Sequence, residues 1–454
     1  MKEKITSIIN SRYIIPIFIF AAIIIRYLFC IIYPNGLSAD AQSYYISAIN
    51  IVNGIGYSDH TESPFIPFYF REPLTSYFIA ACIYLYKVLF NITHIDYPLT
   101  FNVAEMSTMH YNIILTIRIV NIILQVSAIY LFYRTIRKIS PKIVACIFLM
   151  IACIYFPLIY NVIPLLREGY LLFFFSILFY FWVRYIQENK IKYIIISSLC
   201  LGIITLLLHI YILLLIIFIP FIIYYQKSIK QKILHSCIFI ILSYTPSLPW
   251  IYQVYQFYPD YRIIKTLGSG LSADYIDALN AYRAYGVNPY NCKQEEIPEI
   301  EIHPEIFSIL NAKEVFENTF SGKYAEEANK IKAITPIHKI IDFKMKSYIT
   351  AFENTVFQIG ITYDYDLLFG NLTFKSFIKL LFSLPYIIMG ILAMCGLYSI
   401  LKRHWLLLPI FLFHALLFFA LGSEERRQLA LIPYIIWFAI IFIYNLYKKC
   451  YSIH

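Results

Sequence analysis

The sequence predicts an all-α, polytopic membrane protein: a bundle of about 10–12 transmembrane helices, with juxtamembrane helices in a first outer loop and one larger extracytoplasmic loop region. Three observations predict it. Of 454 residues, 60% are hydrophobic and only 14% are charged, a balance no soluble globular domain shows. Apolar runs of about 20 residues recur along nearly the whole chain. Basic clusters alternate with these runs, so the formal net charge of +10 reads as topology information rather than as a nucleic-acid footprint.

The spans fall near 13–33, 111–133, 143–163, 169–187, 191–208, 211–225, 233–251, 376–400, 405–421 and 429–447. The basic markers are the N-terminus, RTIRKISPK (134–142), RYIQENKIK (184–192), QKSIKQK (226–232), KRH (402–404) and KK (448–449). By the positive-inside rule they face the cytoplasm. The expected location is therefore the inner (plasma) membrane, multi-pass, with a cytoplasmic N-terminus held as a retained signal anchor. Residues 74–90 are apolar enough to span, but a single crossing there would put 134–142 outside. The segment either dips in and returns or is followed by a further crossing. Between 192 and 226 one helix would run about 50 Å, against a bilayer core of about 30 Å, so two short spans turning at His209 are expected.

The chain divides into an N-terminal transmembrane module (1–251) with a first outer loop at 34–73, an extracytoplasmic subdomain (252–375) and a C-terminal transmembrane module (376–454). The nine cysteines lie mostly within apolar segments. With no CxxC or His/Cys spacing, neither a disulfide framework nor a zinc site is supported.

Charges cost energy near lipid and gather where water or a ligand reaches them. The outer face collects Asp40, Arg71, Glu72, Arg167, Glu168, His209, Arg262, Lys265, Glu424, Glu425, Arg426 and Arg427. Asp40 sits at a helix start, with Ser38 a candidate N-cap and Gly54 and Gly56 closing the helix. Its ionised form is favoured there by unpaired backbone donors. An ionised aspartate accepts a proton from an attacking hydroxyl or holds a divalent cation. The bland alternatives stand beside these: Asp40 as a helix cap, Glu72 as a charged first turn before Pro73, Arg167–Glu168 as an interfacial anchor pair, His209 as a satisfied polar residue.

The order of motifs resembles the membrane glycosyltransferases of the C-type (GT-C) fold. It is similar in particular to the branch of protein mannosyltransferases and lipid A aminoarabinose transferases, glycosyltransferase family 39 and relatives. Asp40, Tyr44, Ala48 and Gly54 of DAQSYYISAINIVNG fit that family's first-loop spacing. EPL (72–74) corresponds to the element opening its next helix, Arg118 to an Arg of the following span, and Glu168 to the acid of its second outer loop. PWIYQVYQFYPDYRIIKTLGSG, from Pro249, matches the outline leading into its large loop, and ERRQLALIPYIIW its final span. Four positions depart: Glu168 stands for the usual Asp, Gln253 and Val254 replace Arg-Asn, His209 stands where an Arg often lies, and one proline precedes Leu74.

The resemblance implies a GT-C-like bundle moving a sugar from a polyprenyl-phosphate carrier to a glycan, lipid or protein acceptor at the extracytoplasmic face, with inversion. It implies Asp40 as general base, with Glu72 and Glu168 steering the acceptor. Tyr44, Arg71, Arg167, His209, Arg262, Lys265, Arg426 and Arg427 become substrate-binding candidates, and Asp40 and Glu168 candidate ligands for Mg or Mn. Partners are the lipid-linked donor, membrane lipid and an acceptor, without nucleic acid. The alternatives are a polymerase of O-antigen or capsule repeats and a transporter of lipid-linked sugars.

Overall fold

The computed structural model describes residues 13–34, 36–37, 39–65, 67, 71–257, 388–402, 405–414 and 429–451. Among them all regular structure is helical. Three of the described helices are long and apolar enough to cross a bilayer: α1 (Ile14–Ile32), α4 (Thr108–Ile139) and α7 (Arg167–Glu188). Around them lie α2 (Ala39–Val52), α3 (Leu74–Leu89), α5 (Lys142–Ile154), α6 (Phe156–Tyr160), α8 (Ile191–Leu207), α9 (Leu215–Tyr225) and α10 (Ile229–Tyr244). Then come α11 (Leu248–Phe257), α12 (Ile388–Lys402) and α13 (Ile432–Tyr451).

The chain divides into two compact units. One is Met1–Leu248 with Ile388–Phe413 and Leu429–His454; the other is Pro249–Ile387 with His414–Gln428. Of the second, only 249–257 and 414 are described, so the expected 252–375 subdomain lies almost wholly outside the described residues. The site treated below lies entirely in the first unit.

α1 is an aliphatic run whose buried face is the stripe Ala22, Arg26, Cys30; their spacing of four places them on one side of a helix. Its other faces expose Ile17, Phe20, Leu28 and Ile32, as suits a helix against lipid. Arg26 is fully buried, and its role follows from an interruption next door. The expected single span at 143–163 is broken: α5 ends at Ile154, Tyr155 is extended, and α6 restarts with Pro157. Proline has no N–H to give the carbonyl four residues back, so Cys153 loses its helical donor. The guanidinium supplies it, Nη1 donating to Cys153 O at 2.8 Å and Nη2 to Ala152 O at 3.4 Å. Nε donates to the Gln125 side chain, and Nη1 also to Ala22 O at 3.2 Å.

The 233–251 span is likewise corrected, since its helix stops at Tyr244 and a turn separates it from α11. At that stop the end of α10 and the turn after it come very close to α8. A Cβ on Gly202 would meet Pro246 at 2.6 Å and Ser243 O at 2.9 Å, closer than any real side chain sits, so only glycine fits. The turn expected at His209 is present as a 3-10 segment, His209–Leu214, joining α8 to α9.

Residues 74–90 form one helix that does not continue the traverse. α3 starts beside the first loop, where the Tyr57 hydroxyl donates to Arg71 O at 2.9 Å. The chain beyond it remains tied to α2: Asn53 Nδ2 donates to Ile95 O at 2.7 Å, and Leu37 N donates to Phe101 O at 2.9 Å. α4 then begins against α2, with Tyr45 hydrogen-bonded to His110 at 2.8 Å. Both short helices therefore belong to the first loop. Tyr44, Tyr45, Ala48 and Ile49 of α2 pack with Ile79, Ile83 and Tyr86 of α3 and Ile113, Ile114 and Ile117 of α4 in one buried cluster.

The three basic loops 134–142, 184–192 and 226–232 meet at one end of the bundle. Gln187 donates to Lys138 O at 3.2 Å, while Gln226 donates to Asn189 Oδ1 at 2.6 Å and to Tyr185 at 2.7 Å. They share one end, as their charge predicted.

Candidate active site

α2 opens with Asp40 in its first turn and is closed by Gly54 and Gly56, whose φ angles of 81° and 114° lie where glycine is favoured. Because the chain turns there and comes back before α3 begins, Arg71 and Glu72 lie beside the start of α2. Arg71 Nη2 donates to Asp40 Oδ1 at 2.7 Å, with both side chains about one-fifth exposed.

Glu72 reaches two distant segments. Its Oε1 accepts the His209 N–H at 2.7 Å, which is an orphan donor at the start of the 3-10 segment. Its Oε2 accepts from Arg167 Nη1 at 3.3 Å. Arg167 opens α7, where the helix dipole disfavours a cation, and two acids offset this: Glu72, and Glu168 with Oε1 at 3.9 Å from Arg167 Nε. Glu168 is buried, and its Oε2 has no hydrogen-bond partner among the described residues. Such an oxygen is costly unless it receives a hydroxyl, water or cation.

Tyr44, one turn along from Asp40, is buried at the centre of these charges. Burial pushes its phenol above the ordinary tyrosine value, against the pull of Arg167 and Arg71 and with the push of Glu72 and Glu168. Asp40, Tyr44, Arg71, Glu72, Arg167, Glu168 and His209, read separately from the sequence, are thus brought into one cluster by α2, the 71–73 turn, α7 and the 3-10 segment. Arg262, Lys265, Arg426 and Arg427, with Glu424 and Glu425, lie outside the described residues, as does Ser38, the expected cap.

Arg118 serves this cluster indirectly. Buried in α4, it donates through Nε to Ile163 O at 3.1 Å and so anchors the 161–166 loop that delivers Arg167 and Glu168.

Sequence reasoning passed over Asp59. Its neighbours are pinned by one side chain: Asn50 Nδ2 donates to Ser58 O at 2.7 Å and to His60 O at 2.9 Å. Burial pushes the Asp59 carboxyl above the usual carboxylate range, with His60, Ser43 and Arg71 pulling the other way. Ser43 lies three residues after Asp40, hence on its face of α2, and that spacing was the signal available.

No group of three or more His, Cys, Asp or Glu side chains is gathered for a metal among the described residues, and Asp40 Oδ1 is engaged by Arg71. Asp40 and Glu168 are the carboxylates that would hold a divalent cation, and no third ligand joins them among the described residues.

Residues 104–250 match the family model described as dolichyl-phosphate-mannose-protein mannosyltransferase. No curated protein matches the chain. Among solved structures, the archaeal oligosaccharyltransferase AglB from Archaeoglobus fulgidus, in complex with an inhibitory peptide and a dolichol-phosphate, is similar at a TM-score of 0.54 and 12% identity, over 97% of this chain and 51% of that one. The apo form of the same organism's oligosaccharyltransferase gives 0.53 and 14%, over 97% and 51%. Another structure of it was solved with Zn and sulfate. This chain spans about half the length of those proteins. The likeness shows the fold, a helical membrane bundle of the C-type (GT-C) kind. The family model, over residues 104–250, agrees with the family that the order of motifs resembles.

Proposed function

We propose that the chain transfers a sugar from a polyprenyl-phosphate carrier to an acceptor hydroxyl, inverting the anomeric carbon, at the extracytoplasmic membrane face, with Asp40 as general base. The observation that carries this reading is the convergence of Asp40, Arg71, Glu72, Arg167 and Glu168 from three separate stretches of chain. The family description names a dolichyl-phosphate-linked sugar, and the AglB structure holds a dolichol-phosphate; both support a lipid-linked donor.

In the reaction, the acceptor O–H proton passes to the Asp40 carboxylate as the acceptor oxygen bonds to the anomeric carbon. The bond from that carbon to the phosphate oxygen breaks, and its electron pair leaves on the polyprenyl phosphate. A leaving phosphate needs positive charge more than a proton. Arg167 stands at the cluster for that purpose, and Arg262, Lys265, Arg426 and Arg427 are the further candidates. Glu72 holds Arg167 and the His209 turn in register, while the unpartnered Glu168 oxygen is the acceptor-side group. Side, sugar and acceptor are parts of the proposal.

The test is transfer from labelled dolichyl-phosphate mannose by the full-length protein in native membranes, wild type against Asp40→Asn. Transfer lost in a variant that still inserts supports the reading; near-normal transfer in the variant rejects it.

A further inference from the structure

The basic end of the bundle carries a pattern that the proposed reaction does not use. Tyr130 and Arg134, Tyr133 and Arg137 on α4, and Tyr180 and Arg184 on α7 repeat one unit, a tyrosine followed one helical turn later by an arginine. In each, the guanidinium Nη1 donates to the phenol oxygen, at 3.0 Å, 3.4 Å and 3.2 Å. The Tyr130 and Tyr133 rings stack, with centroids 6.1 Å apart. Gln187 of α7 donates to Lys138 O of α4 at 3.2 Å, so the units of the two helices stand at a similar height.

Their charges are not balanced alike. Arg184 has Glu188 as an ion-pair partner, and Glu188 also holds Lys190 at 3.0 Å. Arg134, Arg137 and Lys138 are exposed, and among the described residues none of them is paired with a carboxylate. A phenol takes one donor of a guanidinium and neutralises nothing. It does hold the fork in place, which lowers the ordering cost of binding an anion. Two braced arginines three residues apart, facing outward without an acid, suit the oxygens of one phosphate.

The rest of that helix face says which phosphate. Ile119, Ile123, Tyr130, Arg134 and Arg137 fall on one side of α4 at helical spacing. Ile119 and Ile123 are exposed, as lipid-facing side chains are. From Ile123 to Arg134 the helix rises about 16 Å at 1.5 Å per residue, close to the depth of one leaflet in a hydrocarbon core of about 30 Å. A phosphate at the two arginines therefore has an acyl-chain track beside it along the helix, which a free anion would not use. Position excludes the phosphate of the proposed sugar donor. His110, hydrogen-bonded to Tyr45 of α2, lies about 36 Å back along α4, at the end that holds the candidate active site.

We propose that the α4 face ending in Arg134 and Arg137 binds one anionic phospholipid, its phosphate held by the two guanidiniums and an acyl chain laid along Ile123 and Ile119. Lys138 adds attraction. The positive-inside rule would set this end against the cytoplasmic leaflet, where anionic lipid gathers. The site is independent of the transfer reaction at the opposite end.

The experiment is native mass spectrometry of the full-length protein taken from mixed micelles of phosphatidylcholine and phosphatidylglycerol. Wild type is compared with the Arg134→Gln, Arg137→Gln variant and with Lys227→Gln, Lys230→Gln. Lys227 and Lys230 are exposed bases at the same end, where α10 begins, so the second variant removes the same charge from another place. Wild type should retain phosphatidylglycerol over phosphatidylcholine. The preference should fall about thirtyfold in the arginine variant, the combined worth of two basic groups at an anionic surface, and change little in the lysine variant. Equal losses in the two variants would reveal general charge attraction and overturn the proposal, as would a wild type without the preference. Displacement of the lipid by inorganic phosphate would assign the arginines to a free anion and overturn it too. Thermal unfolding gives a second readout. Phosphatidylglycerol added to phosphatidylcholine nanodiscs should raise the melting temperature of wild type and leave the arginine variant unmoved; an equal rise in both counts against the site.

Discussion

Two regions of the molecule hold their arginines in opposite ways. Inside the bundle, Arg26 is fully buried and spends its donors on Gln125 and on carbonyls. At the first-loop end, Arg71 and Arg167 are partly exposed and face carboxylates. A guanidinium on carbonyls satisfies acceptors that have nowhere else to turn, and no ligand can displace it cheaply. Paired with a carboxylate at a partly wetted rim, it can be exchanged for a substrate's phosphate or hydroxyl. The partner therefore separates the structural arginine from the functional ones better than the arginine's own position does.

The largest effect that would break this contrast concerns Asp40. Asp40→Asn should lower transfer by about two to four orders of magnitude, the usual worth of a general base, with the melting temperature close to wild type. Loss of fold together with loss of activity would make the rim as structural as the interior. Arg26→Met should do the reverse. It strips the donors from Cys153 O, Ala152 O and Gln125, at about 1–3 kcal/mol for each buried group left unsatisfied. Thermal unfolding should show a loss of several degrees, with transfer per folded molecule preserved. Arg26→Lys should recover part of the stability, since an ammonium reaches fewer of these acceptors than a planar fork.

Much of this was legible in the sequence, for a physical reason. Charges at span ends are expensive, so Asp40, Glu72, Arg167 and Glu168 stood out against apolar surroundings, and the alternation of basic loops fixed which ends meet. The two broken spans were misread because hydropathy registers Pro157 and the 245–247 turn as apolar or neutral. What breaks the 143–163 helix is a missing N–H, and what repairs it is an arginine on another helix. Asp59 was passed over because its position depends on Asn50 clamping a turn, a contact between residues that no periodicity links. The fate of 74–90 needed the hydrogen bonds that tie both ends of α3 to the first loop, and parity alone left it open.

A smaller effect sharpens the contrast within the rim. Glu72→Gln keeps an acceptor for the His209 N–H but loses the charge held against Arg167. Transfer efficiency should fall roughly tenfold, as expected where one charge-assisted bond becomes neutral, with little change in stability. If Glu72→Gln instead melts the fold, its tie to the 3-10 turn outweighs its hold on the arginine.

The smallest effect has the most informative sign. Glu168 is buried, its Oε1 lies 3.9 Å from Arg167, and its Oε2 has no hydrogen-bond partner among the described residues. A structural carboxylate would not be left so poorly served, since desolvating it costs more than that distant cation returns. Glu168→Gln removes the charge and keeps the shape. It should therefore raise stability, by about 0.5–1 kcal/mol on the scale of relieved functional-site strain, while transfer falls less than in Asp40→Asn. Opposed shifts in melting temperature and rate would mark Glu168 as an oxygen held ready for a ligand. A fall in both would make it part of the scaffold, and would move the boundary between the two kinds of region inward from the rim to α7.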